Sequence, residues 1–343
     1  RSHLLLALGL ATIVGSSVSI SNSAYADATN IVADRNAAAN QQAVIINTSS
    51  GKTQVNIQTP SAAGVSRNVF SKFDVGQDGA ILNNSRTNAQ TQLAGWVEGN
   101  PYLARGEARV ILNEVNSSDP SRLSGFTEIA GGRAELIIAN PAGITCAGCG
   151  FINAARTTLT TGNALMDQGR LTGFDIKDGS IRVDGDGLDT SGSDYTQILA
   201  KSAQINGAVY AKNLDVITGN NSVSYEADGA DSIITPKSST GSNQSTGVAL
   251  DVSALGAMYA GKIRLIGTEK GMGVTNAGSI IASSGGLQLD NDGNLINSGS
   301  LVANQGKVDI TTSGKVDNSG TIASSRAGID IDSTTLANSG VIS

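Results

Sequence analysis

Apolar and polar positions share one period along the last third of the chain. Four Asn-x-Gly triplets, Asn276-Ala277-Gly278, Asn297-Ser298-Gly299, Asn318-Ser319-Gly320 and Asn338-Ser339-Gly340, follow at steps of 21, 21 and 20 residues. Two positions before each Asn stand Val274, Leu295, Val316 and Leu336, and four positions after stand Ile280, Leu301, Ile322 and Ile342. Farther on come Leu287 and Leu289, Val308 and Ile310, and Ile329 and Ile331, each pair split by Gln288, Asp309 or Asp330. Apolar residues two apart with a polar residue between them mark a strand with one buried face.

Each repeat thus holds three short apolar segments separated by Gly, Asn or Ser turns. One such unit has no means of burying its apolar face, whereas stacked units do. Three strands of roughly five residues and three turns make a coil of about 21 residues, with coils about 4.8 Å apart. The pattern predicts an all-β fold, a parallel β-helix with three strands per coil and inward columns of Ile, Leu and Val. Asn and Gly suit the turns because both tolerate positive φ. Stacked Asn side chains are placed to hydrogen-bond from coil to coil. A leucine-rich repeat has an overlapping period, but its L-x-x-L-x-L consensus is missing.

The same texture runs backwards less regularly. Phe174-Asp175-Ile176, Ile181-Arg182-Val183, Ile205-Asn206-Gly207-Ala208-Val209 and Leu214-Asp215-Val216-Ile217 read as strands between turns. Residues 218 to 247 read as an excursion, long enough for a strand pair around Val223-Ser224-Tyr225 and Ser232-Ile233-Ile234. The last repeat shows no polar capping unit, so the protein is expected to continue past Ser343.

The start of the chain has another character. Leu4 to Val14 is an apolar run, followed by small and polar residues and then Ala24-Tyr25-Ala26. That is the plan of a signal peptide over residues 1–26, cleaved between Ala26 and Asp27. The run is shorter than the roughly 20 apolar residues that span a bilayer. Net charge is −6, and no Lys/Arg cluster suggests nucleic acid. The single histidine, His3, falls in the signal peptide. The mature chain therefore lacks Ser-His-Asp and Cys-His chemistry and His-based metal sites, and no cofactor is expected.

Residues 31 to 163 are not periodic but carry distinctive strings. They are Gly79-Ala80-Ile81-Leu82-Asn83-Asn84-Ser85, then Gly99-Asn100-Pro101-Tyr102-Leu103-Ala104-Arg105-Gly106-Glu107-Ala108, then Ile111-Leu112-Asn113-Glu114-Val115. Next come Ala139-Asn140-Pro141-Ala142-Gly143-Ile144-Thr145-Cys146-Ala147-Gly148-Cys149-Gly150-Phe151-Ile152-Asn153 and Arg156-Thr157-Thr158-Leu159-Thr160-Thr161-Gly162. In this order they resemble the two-partner secretion (TPS) domain of filamentous haemagglutinin-like exoproteins, haemolysins and contact-dependent growth inhibition toxins. The family's NPNL and NPNGI motifs correspond to Asn100-Pro101-Tyr102-Leu103 and Asn140-Pro141-Ala142-Gly143-Ile144, each departing at its third position.

The resemblance implies a right-handed parallel β-helix with an N-terminal β cap and extra-helical hairpins. It divides the chain into a signal peptide, a secretion domain over 27–270 and the first coils of a shaft over 271–343. It also implies export: the Sec translocon delivers the chain to the periplasm, where periplasmic modules of an outer-membrane TpsB-type β-barrel transporter recognise it. It then crosses unfolded to fold at the cell surface. An extended segment suits such recognition, since it can add a strand to a partner sheet. Downstream regions would meet a host or neighbouring cell, as an adhesin or a growth-inhibition toxin carrier, with a haemolysin as the alternative. In each Asn-Pro pair, Pro fixes φ and Asn caps its own turn. Two roles stand open for them: coil corners that shape the fold, or direct contact with the transporter.

Cys146 and Cys149 form C-x-x-C, for which a disulfide is the default in an exported protein. Free thiols and a redox or metal site are the alternatives, but Gly148 and Gly150 favour a turn over a redox helix, and zinc lacks two further ligands. Asp184-Gly185-Asp186-Gly187 lacks the spacing and closing Glu of a calcium loop and reads as a polar turn. Trp96 and Tyr102 are expected in core or cap packing rather than on a ligand. A β-helical polysaccharide lyase would need clustered acids beside a base, and here the acids are scattered.

Overall fold

The computed structural model describes residues 28–226, 231–237 and 247–343. The signal-peptide segment 1–26 and the Ala26–Asp27 junction lie outside them.

Among the described residues, three long sheets of 11, 12 and 9 strands wrap around one core, and the chain visits them in turn. One coil runs from Lys262–Gly267 in the first sheet to Met272–Asn276 in the third and Ser279–Ala282 in the second. The next coil repeats the path with Leu287–Asn291, Leu295–Asn297 and Ser300–Ala303. Neighbouring coils pair in parallel and in the sequence register: Val274, Leu295, Val316 and Leu336 lie opposite one another, as do Ile280, Leu301, Ile322 and Ile342. This is a parallel β-helix with three strands per coil. Its interior is a single apolar column, from Phe70 and Ile111 through Leu136 and Ile198 to Leu289 and Ile310.

The turn asparagines form a ladder, buried at Asn276, Asn297 and Asn318. Asn276 Nδ2 donates to Asn297 Oδ1 (2.8 Å), Asn297 to Asn318 (2.7 Å) and Asn318 to Asn338 (2.7 Å). The glycines beside them serve a different purpose from the one expected. None of Gly278, Gly299, Gly320 and Gly340 has positive φ. A Cβ at Gly299 would lie 2.1 Å from the Gly278 carbonyl oxygen, and one at Gly320 would lie 2.1 Å from that of Gly299. Glycine is required because successive coils touch backbone to backbone at this corner.

The first end of the helix is closed by antiparallel pairing. Asn30–Ala33 lies on Val65–Asp74, and Val44–Asn47 lies on Thr53–Asn56. These strands cap the ends of two parallel sheets.

Two departures from the coil pattern place a second layer on the first sheet. Phe174-Asp175-Ile176 is not a coil strand: it ends Arg170–Ile176, which forms a hairpin with Asn163–Asp167 outside the helix. The excursion after Thr218 contributes Asn221–Ser224 and Ile234–Pro236, paired antiparallel with Val223 opposite Ile234. The two hairpins join into one four-stranded sheet, the flap. Phe174, Ile176 and Val223 of the flap pack on Leu112, Ile137, Leu199 and Ile217 of the coil face. The segment Ile205–Val209 is also divided, since Asn206-Gly207 turns the chain from the third sheet to the second.

Candidate functional site

The two Asn-Pro motifs sit at separate corners of the N-terminal coils and are built alike. Asn100 donates from Nδ2 to the carbonyls of Ile57 and Asn83 (2.9 Å each), and its Oδ1 accepts from the Tyr102 N–H (3.0 Å). Pro101–Leu103 then forms a single 3-10 turn with Leu103 fully buried. Asn140 donates to the Asp119 carbonyl (2.9 Å) and Ser121 Oγ (3.0 Å), and its Oδ1 accepts from the Ala142 N–H (3.0 Å). Gly143 follows at φ +120°, and Ile144 enters the core. In each case the amide caps its own turn and fastens it to a neighbouring coil.

This geometry accounts for the freedom at the third motif position. Only the backbone N–H of Tyr102 and of Ala142 takes part in the cap. Both asparagines are out of solvent, at 2 % and 0 % exposure. Pro101 is exposed and Pro141 half-buried. Each borders a recess, one with Arg86, Thr87 and Glu107, the other with Arg67, Glu114 and Asn163.

Close to the second motif, Cys146 and Cys149 are joined by a disulfide, with Cα atoms 5.4 Å apart. Both are buried. Ala147 and Gly148 bridge the corner between the third and second sheets, Gly148 at φ +90°. The N–H groups of Gly148 and Cys149 both donate to Gly187 O of the next coil (2.9 and 3.2 Å). That carbonyl closes the Asp184-Gly185-Asp186-Gly187 string, a polar turn in which Asp184 accepts from Asn206 (2.7 Å) and pairs with Arg182 (3.3 Å). Among the described residues, no group of three or more His, Cys, Asp or Glu is placed to hold a metal ion.

Trp96 departs from the expectation of core packing. It lies 67 % exposed on a small hairpin, Ala89–Thr91 with Gly95–Val97, whose turn is held by Glu128 accepting from the Gln92 and Leu93 N–H groups. That hairpin buries Val97 and Ala94 against Ile81 and Ala130. Strand alternation turns Val97 inward and Trp96 outward.

One cluster carried no sequence signal. Beneath the flap, Glu135, Arg156, Tyr195, Asn213, Asp215 and Lys262 line a polar cleft of about 510 Å³. Burial holds the Arg156 guanidinium below the usual arginine range, against the pull of Glu135. Burial pushes the Tyr195 phenol up, and the Asp215 carboxylate adds to the shift. Burial alone would lower Arg264, but its pairing with Asp215 raises it. These residues come from five coils, and only the stacking brings them together.

Residues 29–297 match the family model described as the TPS secretion domain. The chain is 55% identical over 266 residues to "Toxin CdiA" of Yersinia pestis, a match covering 78% of this chain and 8% of that protein. It is 47% identical over 254 residues to "tRNA nuclease CdiA-2" of Burkholderia pseudomallei, covering 74% and 8%. The matched part is thus a small fraction of the length of these relatives. The crystal structure of the filamentous hemagglutinin secretion domain superposes with a TM-score of 0.69 at 28% identity, covering 90% of this chain and 99% of that one.

Proposed function

This chain belongs to the TPS secretion domain family, and from that premise we propose that its two Asn-Pro corners serve export by shaping the domain that folds after passage. Domains of this family work with an outer-membrane TpsB-type transporter, and the CdiA-like relatives are exported surface proteins. The finer steps are our reading. Residues 1–26 direct the chain to the Sec route and are removed before Asp27. Residues 27–270 are handled by the periplasmic modules of the transporter, and the coils from 271 onward begin a shaft. The chain displays a downstream region toward a host or neighbouring cell and performs no catalysis itself. Its likeness to the toxin CdiA of Yersinia pestis and the tRNA nuclease CdiA-2 of Burkholderia pseudomallei favours a growth-inhibition toxin carrier over an adhesin or a haemolysin.

The observation that carries the reading is the burial of Asn100 and Asn140. A folded domain offers neither amide to a partner, so any effect of these residues on the transporter must be exerted on the unfolded chain. Their bonds to Ile57, Asn83, Asp119 and Ser121 give them a structural task in the folded state. The test is secretion of the chain with and without its cognate transporter, comparing wild type with Asn100→Ala and Asn140→Ala. We expect release only with the transporter, and variants that reach the surface but are degraded there. A variant that stays periplasmic, yet refolds normally once purified, would assign that Asn to transporter recognition instead. Release without any transporter would remove the export reading.

A further inference from the structure

The second hairpin of the flap is fastened to the helix by polar groups of one excursion of the chain. On the outer face of the first sheet, Glu135, Arg156, Gln197, Asp215 and Arg264 stand on five successive strands. Tyr225, Glu226, Asp231 and Ser232, all between the two flap strands of the second hairpin, meet four of the five. The Tyr225 hydroxyl donates to the Glu135 carboxylate. Arg156 lies between the rings of Tyr225 and Tyr195, 4.4 and 5.1 Å from their centroids. Its guanidinium donates to the Glu226 carbonyl (2.6 Å) and Gln197 Oε1 (2.5 Å). Gln197 in turn donates to Ser232 Oγ (3.1 Å), and Arg264 pairs with Asp231 (3.7 Å) and Asp215. Arg156 and Arg264 are 3 % and 7 % exposed. Buried charges of this kind contribute little net stability but penalise any other arrangement.

Chain order adds the second observation. The first flap hairpin, Asn163–Asp167 with Arg170–Ile176, precedes two complete coils, and only then do Asn221–Ser224 arrive to pair with it. Until they do, the Arg170–Ile176 edge is unpaired and the charged ladder lies open to water.

We propose that residues 221–226 and 231–237 are a latch: their docking covers the ladder and joins the coils from Ala134 to Gly267 and the first hairpin into one cooperative unit. The latch itself follows from these contacts alone. Its use, to make folding one-way once this stretch has left the transporter, rests on the export reading above.

The test is native-state amide hydrogen exchange on the whole chain, for wild type, Arg156→Met and Tyr225→Phe. Arg156→Met keeps the apolar stem and removes the cation-π sandwich and both donors. In that variant, amides of Arg170–Ile176, Asn221–Ser224, Ala154–Thr160 and Tyr195–Ala200 should exchange at least tenfold faster. Amides of Val308–Thr312 should keep the wild-type rate. Tyr225→Phe, which removes one hydroxyl, should give the same pattern at about threefold. Equal acceleration throughout the chain, or acceleration of the flap strands without the coil strands beneath them, overturns the latch. No transporter enters this measurement, so failure of the export reading leaves its answer intact. Conversely, faster exchange with an undiminished secreted yield of Arg156→Met would overturn the proposed use in export.

Discussion

The coils after Met272 and the coils before Gly267 share one cross-section but are held by different means. In the later coils the strands pair with those of the next coil, and one residue set recurs: an apolar inward position, an Asn rung, and a Gly where backbones touch. In the earlier coils the corners differ from one another. Two are fastened by Asn-Pro caps and one by a disulfide, and a second sheet is stapled across the outside. The difference teaches that repetition lets nearest-neighbour contacts suffice, as in a one-dimensional array. An irregular region needs longer-range fastenings to select one packing.

Four substitutions would break or sharpen this contrast. The largest effect is expected from Gly299→Ala, whose Cβ would meet the Gly278 backbone at 2.1 Å. We expect about 3 kcal/mol or more of destabilisation from such overpacking, confined to the later coils. Thermal melting followed by limited proteolysis should show these coils opening first, leaving an intact N-terminal fragment. A single transition for the whole chain would mean that the two regions are not separable.

Asn140→Ala should come next. It leaves Ser121 Oγ, the Asp119 carbonyl and the Ala142 N–H without their partner, at a cost of about 2–3 kcal/mol. Urea unfolding would register it as a lower midpoint in the irregular region, while Val308–Thr312 keeps its exchange protection. Asn113→Val has the opposite sign. Asn113 lies inward and fully buried, opposite Asn68 and Ile138, with both ends of its amide unpartnered. Replacing it by an apolar side chain of similar size should stabilise the chain by about 1 kcal/mol. A loss of stability in the same urea titration would show that the amide is satisfied.

The smallest effect is expected at Asp290. Partial desolvation raises its carboxyl pKa, and Asp292 two residues on and Asp309 on the next coil's strand add to the shift. A carboxylate whose folded pKa is raised costs no stability below the ordinary carboxylate range. It takes stability away as pH rises through its unfolded pKa toward the folded one. Asp290→Asn should therefore raise the melting temperature slightly at neutral pH and leave it unchanged near pH 3. An equal gain at both pH values would point to a cause other than charge.

How legible each part was follows from the range of its interactions. The Asn-x-Gly period and the alternation of Leu287-Gln288-Leu289 were open to reading because each coil contacts the next coil at a fixed distance in sequence. The Asn-Pro turns were equally visible, since Asn caps a turn within two residues of itself. By contrast, Phe174-Asp175-Ile176 carries the same alternation as a coil strand, and alternation does not say which sheet a strand joins. Trp96 faces water for the same reason: its hairpin has one buried face, and nothing local says which.

The amino-acid sequence by itself determined the repeat, the β class, the apolar columns and the family, because these rest on short, recurring patterns. Only the tertiary structure decided that the turn glycines are set by backbone contact between coils rather than by φ. It alone brought Arg156 between Tyr195 and Tyr225, and took the Asn100 and Asn140 amides out of solvent. The contacts around Arg156 and Tyr225 join residues 39 to 90 positions apart through stacking, and no pattern along the chain records a contact that depends on how many coils lie between its ends.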